Sequence, residues 1–399
     1  MVVKFNLITD EITTNDFIGI MNQYLHFVDK KKIQINKCEI EDIKPEQNYF
    51  YLIKQEKVRY KYSIIESKYI DLVNKTNNFF IGFFTEHESI DEADFRDILK
   101  FTRDNNIDEN KILILNNSSV LDEYKEKYKS NLNVYKLNFL SFIKMYDMFK
   151  GGEFEYNKEK KGKFFMSFNK TVKRHRVGLL SYLKHENLLN DVNWSYVPSN
   201  NPMGIENDNF FKPIMGDEEI NDLKNEINYF RNLKYKYSDY EQDEIEEYSY
   251  EKSIKLTMVE NPKNYTNSYV NLTTESNFDE RENVIHITEK TFKPFYYYQI
   301  PLIMGGYRQL EKTKKIYDVD LFDDVLDLSY DKEKNHIIRF KKYINEVKRV
   351  YLKKNEIIEF YQNNQERFES NKKKMISSFN FYENDLNYFY NFIWKKPLI

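Results

Sequence analysis

HITEKTFKPFYYYQIPLIMGG (His286–Gly306) reads as a helix that runs straight into a strand. Thr288 is placed to cap that helix, because its hydroxyl can accept from a backbone N–H two or three residues on. Glu289 and Lys290 then fall in the first turn, and PLIMG (Pro301–Gly305) follows as an apolar strand. A helix N-terminus carries roughly half a positive charge and several N–H donors, which suits a phosphate. Lys290 adds a full charge, and Glu289 can accept from sugar hydroxyls. The plainer alternative is a capped surface helix with an ordinary Glu–Lys pair. The strand–helix–strand context favours a site.

Upstream, FFMSFNKTVKRHRVGLLSYL (Phe164–Leu183) repeats the grammar in the other order. FFMSF reads as a strand ending at a polar turn with Ser167 and Asn169, and a helix spans about 172–189 with Arg174 and Arg176 early in it. Arginine is rare in this chain, so a close pair carries information. An arginine fork at a strand end pairs well with a diphosphate, through bidentate charge-assisted bonds. A solvated basic helix start is the competing reading, but positive charge at a helix N-terminus is mildly unfavourable unless an anion binds there.

Farther out, SIKLTMV (Ser253–Val259) and YVNLTTE (Tyr269–Glu275) read as strands. So do VVKFNLI (Val2–Ile8), YFYLI (Tyr49–Ile53), FFIGFF (Phe79–Phe84) and KILILNN (Lys111–Asn117) in the N-terminal part. Helical stretches lie between them at about 15–28, 91–103 and 120–128. Apolar runs of this length separated by helices point to parallel strands buried on both faces. The fold class is therefore α/β, with two Rossmann-like domains. Residues 1–150 form the N-terminal domain, and 151–163 (GGEFEYNKEKKGK) a charged linker. Residues 164–370 form the C-terminal domain. From about His336 the chain is helical and amphipathic, and 371–399, ending FNFYENDLNYFYNFIW, is expected to pack back on the N-terminal domain. In such sheets ligands sit beyond the carboxyl ends of the strands, here in a cleft between the domains.

The 399 residues carry 61 Lys and Arg against 64 Asp and Glu, a net charge of −3, so there is no global basic field for tight nonspecific nucleic-acid binding. Ala93 is the only alanine and Gly and Pro are scarce, the imprint of A/T-rich codons and of a low-GC bacterium, endosymbiont, virus or phage. Cys38 is the only cysteine, which excludes an internal disulfide and a cysteine-rich metal site. The six histidines have no metal-ligand spacing. Asp318-Val319-Asp320 forms a D-x-D in a Leu/Phe/Asp-rich stretch and is read as coincidental. No signal peptide or ~20-residue apolar span is evident, so a cytoplasmic location is expected.

FFTEHESI (Phe83–Ile90) places Glu86, His87 and Glu88 just past a buried strand. A glutamate there can take a proton from an acceptor hydroxyl if a dry setting raises its pKa. A solvated loop is the competing reading.

Together these segments resemble the α-1,3-fucosyltransferase family, inverting glycosyltransferases of the GT-B fold. SFNKTVKRHR, NLTTES, ITEK and IPLIMGG stand in the family's order and at similar spacing, and FFTEHES is similar to its N-terminal "FYTGEN-E-S" with one residue fewer. The resemblance covers Phe164–Gly306 and, in the N-terminal domain, that one stretch. It implies a nucleoside diphosphate sugar, GDP-fucose-like, as donor, a hydroxyl as acceptor, and no cofactor or metal. Arg176 and Lys290 would hold the diphosphate and Glu289 the ribose. Asn169, Arg174, Glu275, His286 and Thr288 complete the donor side, and Glu86 would be the base with Glu88 as substitute. His286 replaces the family's Tyr, TTES replaces "FEN", and TFKPFYYY replaces a helix of small residues.

Two rivals remain. One keeps the chemistry and changes the acceptor to a hydroxymethylated DNA base, using lysines at 312–315 and 372–374. The other is a catalytically silent binding relative. A carboxylate-based nuclease or hydrolase ranks last, for want of an acidic cluster at metal spacing.

Overall fold

The apolar runs become parallel strands. The computed structural model describes residues 3–8, 33–44, 47–54, 65–84, 90–116, 121–136, 155–169, 172–196, 205, 207–233, 265–278 and 287–377. The chain divides into two compact units, one within residues 1–151 and one spanning 152–282 and 287–377. The α/β class and the two Rossmann-like units expected from the sequence are both present. The expected helix at 15–28, the strand at 253–259 and the aromatic tail from 379 lie outside the described residues.

The first unit contains β1 (Val3–Ile8), β2 (Ile33–Lys37), β3 (Tyr49–Lys54), α1 (Ser67–Lys75), β4 (Phe79–Phe84), α2 (Glu92–Asp104), β5 (Ile112–Asn116), α3 (Leu121–Tyr128) and β6 (Asn133–Lys136). All six strands pair in parallel, in the order β2-β1-β3-β4-β5-β6. Phe79, Ile81 and Phe83 of β4 and all of β5 are buried, as two-sided burial requires. Gly82 lets β3 and β4 close up, since a Cβ there would lie 2.3 Å from Leu52 Cδ2. Helix α2 opens on a reciprocal cap: Asp94 N–H donates to Asp91 Oδ1 at 2.7 Å, and Asp91 N–H to Asp94 Oδ2 at 3.3 Å. It buries Phe95, Ile98 and Leu99 against the sheet core.

The second unit contains β7 (Lys163–Asn169), α4 (Arg174–His185), β8 (Val192–Tyr196), α5 (Asp217–Asp222), α6 (Lys224–Asn232), β9 (Ser268–Thr274), α7 (Glu289–Tyr296), β10 (Ile300–Met304), α8 (Gln309–Tyr317), α9 (His336–Leu352), α10 (Lys354–Asn363) and α11 (Gln365–Ser377). Its strands are also parallel, in the order β10-β9-β7-β8. After β8 the chain returns to the other side of β7, so the order reverses between β7 and β9. Open α/β sheets bind ligands at such a switch point.

The second half of the expected linker is bound to this unit. Tyr156 stacks on Tyr361 with centroids 4.9 Å apart. Lys161 donates from Nζ to Thr266 O at 2.6 Å and lies 4.8 Å from the Tyr361 ring centroid. Burial brings the Lys161 pKa down to about 8. Charged composition concealed these two anchors. Helix α11 runs through the boundary drawn at 370, and residues 378–399 lie outside the described residues.

Candidate functional site

Strands β7 and β9 end side by side at the switch point, and their last residues are tied together. Thr274 Oγ1 donates to Asn169 Oδ1 at 2.6 Å. Asn169 N–H donates to Ser195 Oγ of β8 at 2.9 Å, and its Nδ2 to Ser167 Oγ at 3.1 Å. Asn169 is thus a staple across three strand ends and is itself buried.

Helix α4 begins on this platform with no side-chain cap at Lys173. The three residues of its first turn take different directions. Arg174 lies over the Phe210 ring, 5.3 Å from its centroid. His175, fully buried, makes a 2.9 Å contact from Nε2 to Glu275 O, and its ring packs 5.3 Å from that of Phe278. Arg176 donates from Nη2 to Thr274 O at 3.2 Å and is only 3% exposed. Burial, then the charges of Arg176, Lys173 and Arg174, hold the His175 pKa well below the usual imidazole value. A neutral His175 that meets a carbonyl through Nε2 carries its proton there.

The sign of the resulting pH dependence follows. Below about pH 6.5 the unfolded chain protonates this imidazole and the folded one does not, so stability falls as the medium acidifies. This group's share of the slope is at most that of one proton. His175→Gln keeps an Nε2 donor, and urea titrations between pH 5 and 7.5 should show that share of the slope gone. An unchanged slope would mean the imidazole is not held neutral.

Helix α7 begins beside the end of β9, and its N-terminus already meets an anion. Glu275 is completely buried, and its N–H donates to Met304 O at 2.9 Å, extending the β9–β10 ladder. Its carboxylate accepts from Thr288 N–H at 3.1 Å, from Thr288 Oγ1 at 2.7 Å, from Ser276 N–H at 3.3 Å, and from Thr291 Oγ1. The Thr288 hydroxyl in turn accepts from Lys290 N–H at 3.3 Å, the cap anticipated from the sequence. Lys290 Nζ lies 3.4 Å from that hydroxyl and 3.1 Å from Glu289 Oε1, with its side chain 27% exposed. Glu289 is buried.

Arg176 thus reaches Thr274 directly, and Lys290 is joined to the next residue, Glu275, through the Thr288 hydroxyl. Polar groups connect them: the Thr274 carbonyl, the Glu275 carboxylate and the Thr288 hydroxyl. Sequence reasoning missed His175 and Thr291; Glu275, placed on the donor side, accepts from Thr288 and Thr291. Glu86, Glu88 and His286 lie outside the described residues. Of the segment holding the first two, Phe84 ends β4, and Ile90 N–H donates to Asn116 Oδ1 at the end of β5, at 3.1 Å.

Ion pairs occupy the D-x-D. Asp320 meets Arg367 Nε at 2.6 Å and Asp318 meets Lys374 at 2.7 Å. The lysine patches considered for DNA also have intramolecular work: Lys314 pairs with Asp323 at 2.8 Å. Lys372 lies 4.8 and 4.6 Å from the ring centroids of Tyr296 and Tyr298, joining α11 to α7. No helix among the described residues is long and apolar enough to cross a membrane.

The sequence matches no protein-family model and no curated protein. Solved structures of similar architecture include S. aureus MnaA with UDP, at 10% identity and a TM-score of 0.42, over 99% of each chain. The DNA-modifying β-glucosyltransferase, solved with and without uridine diphosphoglucose, gives 10% identity and 0.34, over 96% of this chain and 99% of that one. A UDP-forming α,α-trehalose-phosphate synthase from Burkholderia vietnamiensis gives 12% and 0.40, over 88% and 72%.

Proposed function

We propose that the chain is an inverting glycosyltransferase that binds the diphosphate of a nucleotide sugar at the switch point of the second unit. One observation carries this reading. Arg176 donates to Thr274 O at the end of β9, and Lys290 lies on the Thr288 cap, which is bonded to the next residue, Glu275, beside the switch point where such folds bind ligands. The resemblance to fucosyltransferases supports it independently and suggests a GDP-fucose-like donor.

Charge builds on the diphosphate as the glycosidic bond breaks. Fixed cations aimed at that charge lower the barrier without reorganising during the reaction. Arg176 is held by Thr274 O and Lys290 by the Thr288 cap, so both are preorganised. Glu289 accepts from the donor ribose. Glu86, with Glu88 as substitute, removes the acceptor proton as the hydroxyl attacks the anomeric carbon from the opposite face. The acceptor on this reading is a glycan or other small hydroxyl compound. The partners already engaged by Lys314, Lys372 and Lys374 count against a dedicated DNA groove.

A donor panel tests it: GDP- and UDP-sugars incubated with the full chain, scored for hydrolysis or transfer. Turnover of at least one donor is expected, and Glu86→Gln should still bind that donor while transfer drops by about 100-fold or more. Transfer at the wild-type rate in Glu86→Gln removes Glu86 as the base. No turnover of any donor returns the chain to the silent-relative reading.

A further inference from the structure

We propose a second ligand site in the same unit, at the opposite end of its sheet, that takes a pyranose carrying an anionic group. A cavity of about 460 Å³ opens at the amino ends of β7 and β8, within the size range of small-ligand pockets. Strand β7 is seven residues long, which puts roughly 20 Å between this cavity and the Asn169 end. One sugar unit therefore does not reach both.

The lining supplies three kinds of recognition. Tyr229 of α6 is 41% exposed and offers a ring face, and Trp194 of β8 forms part of the wall. Asn187, Asn190 and Asn193 also line it, residues whose amides both donate and accept, as sugar hydroxyls require. Lys163 and Lys184 add two ammonium groups. Lys163 Nζ is held by Asn190 O at 2.6 Å, and Lys184 Nζ sits 4.4 Å from the centroid of the Tyr229 ring.

The charge balance selects the ligand. Among the described residues that line the cavity there is no carboxylate. Two described acids adjacent in sequence to lining residues have partners of their own: Asp191 with Tyr351 Oη at 2.6 Å and Lys354 at 2.9 Å, and Glu186 with Lys348 at 3.2 Å. A wall whose described residues include two cations, asparagines and an exposed tyrosine favours a polar ring with one negative group over a neutral sugar or a bare ion. A uronate and a sugar phosphate share this chemistry. The site would hold part of a longer saccharide away from the nucleotide, and it stands whether or not the nucleotide reading does.

Trp194 reports on the site directly, because the chain has one other tryptophan, Trp394. In the full-length Trp394→Phe protein, fluorescence is followed during titration with glucuronic acid, glucose 6-phosphate, glucose and inorganic phosphate. Saturable change with one of the first two, at least ten-fold tighter than with glucose or phosphate, is expected, and the tighter of the two identifies the source. Lys184→Ala and Tyr229→Ala should each weaken it ten-fold or more, while Lys184→Arg and Lys290→Ala leave it in place. Absence of saturation, an equal response to glucose or phosphate, or indifference to Lys184→Ala and Tyr229→Ala would overturn the proposal.

Discussion

GDP, and UDP to a lesser extent, should raise the melting temperature of the wild-type chain and leave that of Lys290→Ala where it was. A ligand that binds only the folded state stabilises it by about 2.7 kcal/mol at 100 times its dissociation constant. For a unit of the size of the second one, that corresponds to roughly 5–10 °C. Lys290 is the better probe of the two cations. Its side chain is partly exposed, so truncation costs less folding stability than at Arg176, although buried Glu289 loses one ion-pair partner. Arg176 is buried and donates to Thr274 O, so Arg176→Ala removes both the grip and part of the fold. A nucleotide shift that survives intact in Lys290→Ala would place the diphosphate elsewhere. No shift with any nucleotide in the wild type would leave a scaffold without the ligand.

The strands that the sequence disclosed and those it hid differ in position within the sheets. Phe79–Phe84, Ile112–Asn116, Lys163–Asn169 and Ser268–Thr274 are interior strands, covered on both faces, and their apolar runs are unbroken enough to read. The strands passed over, Ile33–Lys37, Asn133–Lys136 and Val192–Tyr196, are all edges. Ile33–Lys37 and Asn133–Lys136 are partly solvated, and Val192–Tyr196, though mostly buried, has its apolar run broken by Asn193 and Ser195, so each pattern resembles a loop. β10 is an edge too, yet it is wholly buried and its apolar run IPLIM is unbroken, so it was legible.

The site divides in the same way. The Thr288 cap is a local feature, decided within three residues, and the sequence carries it. The clasp of Glu275 on Thr288 and Thr291 joins residues 13 and 16 apart across a segment with no regular pattern, and the His175–Glu275 contact spans 100 residues. Only the pairing of β9 with β7 and β10 brings these groups together. Burial of an acidic residue at a strand end was the one available signal, and it does not distinguish a ligand-binding carboxylate from a structural one.

That distinction sets the second large effect. Glu275→Ala should cost the second unit at least about 3 kcal/mol, because it leaves the buried donors of Thr288 and Thr291 without their acceptor. Thr288→Ala loses the cap and one donor together, so its cost is smaller, about 1 kcal/mol. The two changes touch the same hydrogen bond and should be non-additive, with a coupling of about 1 kcal/mol or more in a double-mutant cycle. Urea unfolding read by Trp194, in the Trp394→Phe background, isolates the second unit from the first. A cost below 1 kcal/mol for Glu275→Ala, or strict additivity with Thr288→Ala, would show that the carboxylate does not organise the start of α7. It would then be available to the donor sugar after all. If the large cost is found, the same variant should also weaken nucleotide binding, since Lys290 is positioned from Thr288 and Thr288 from Glu275.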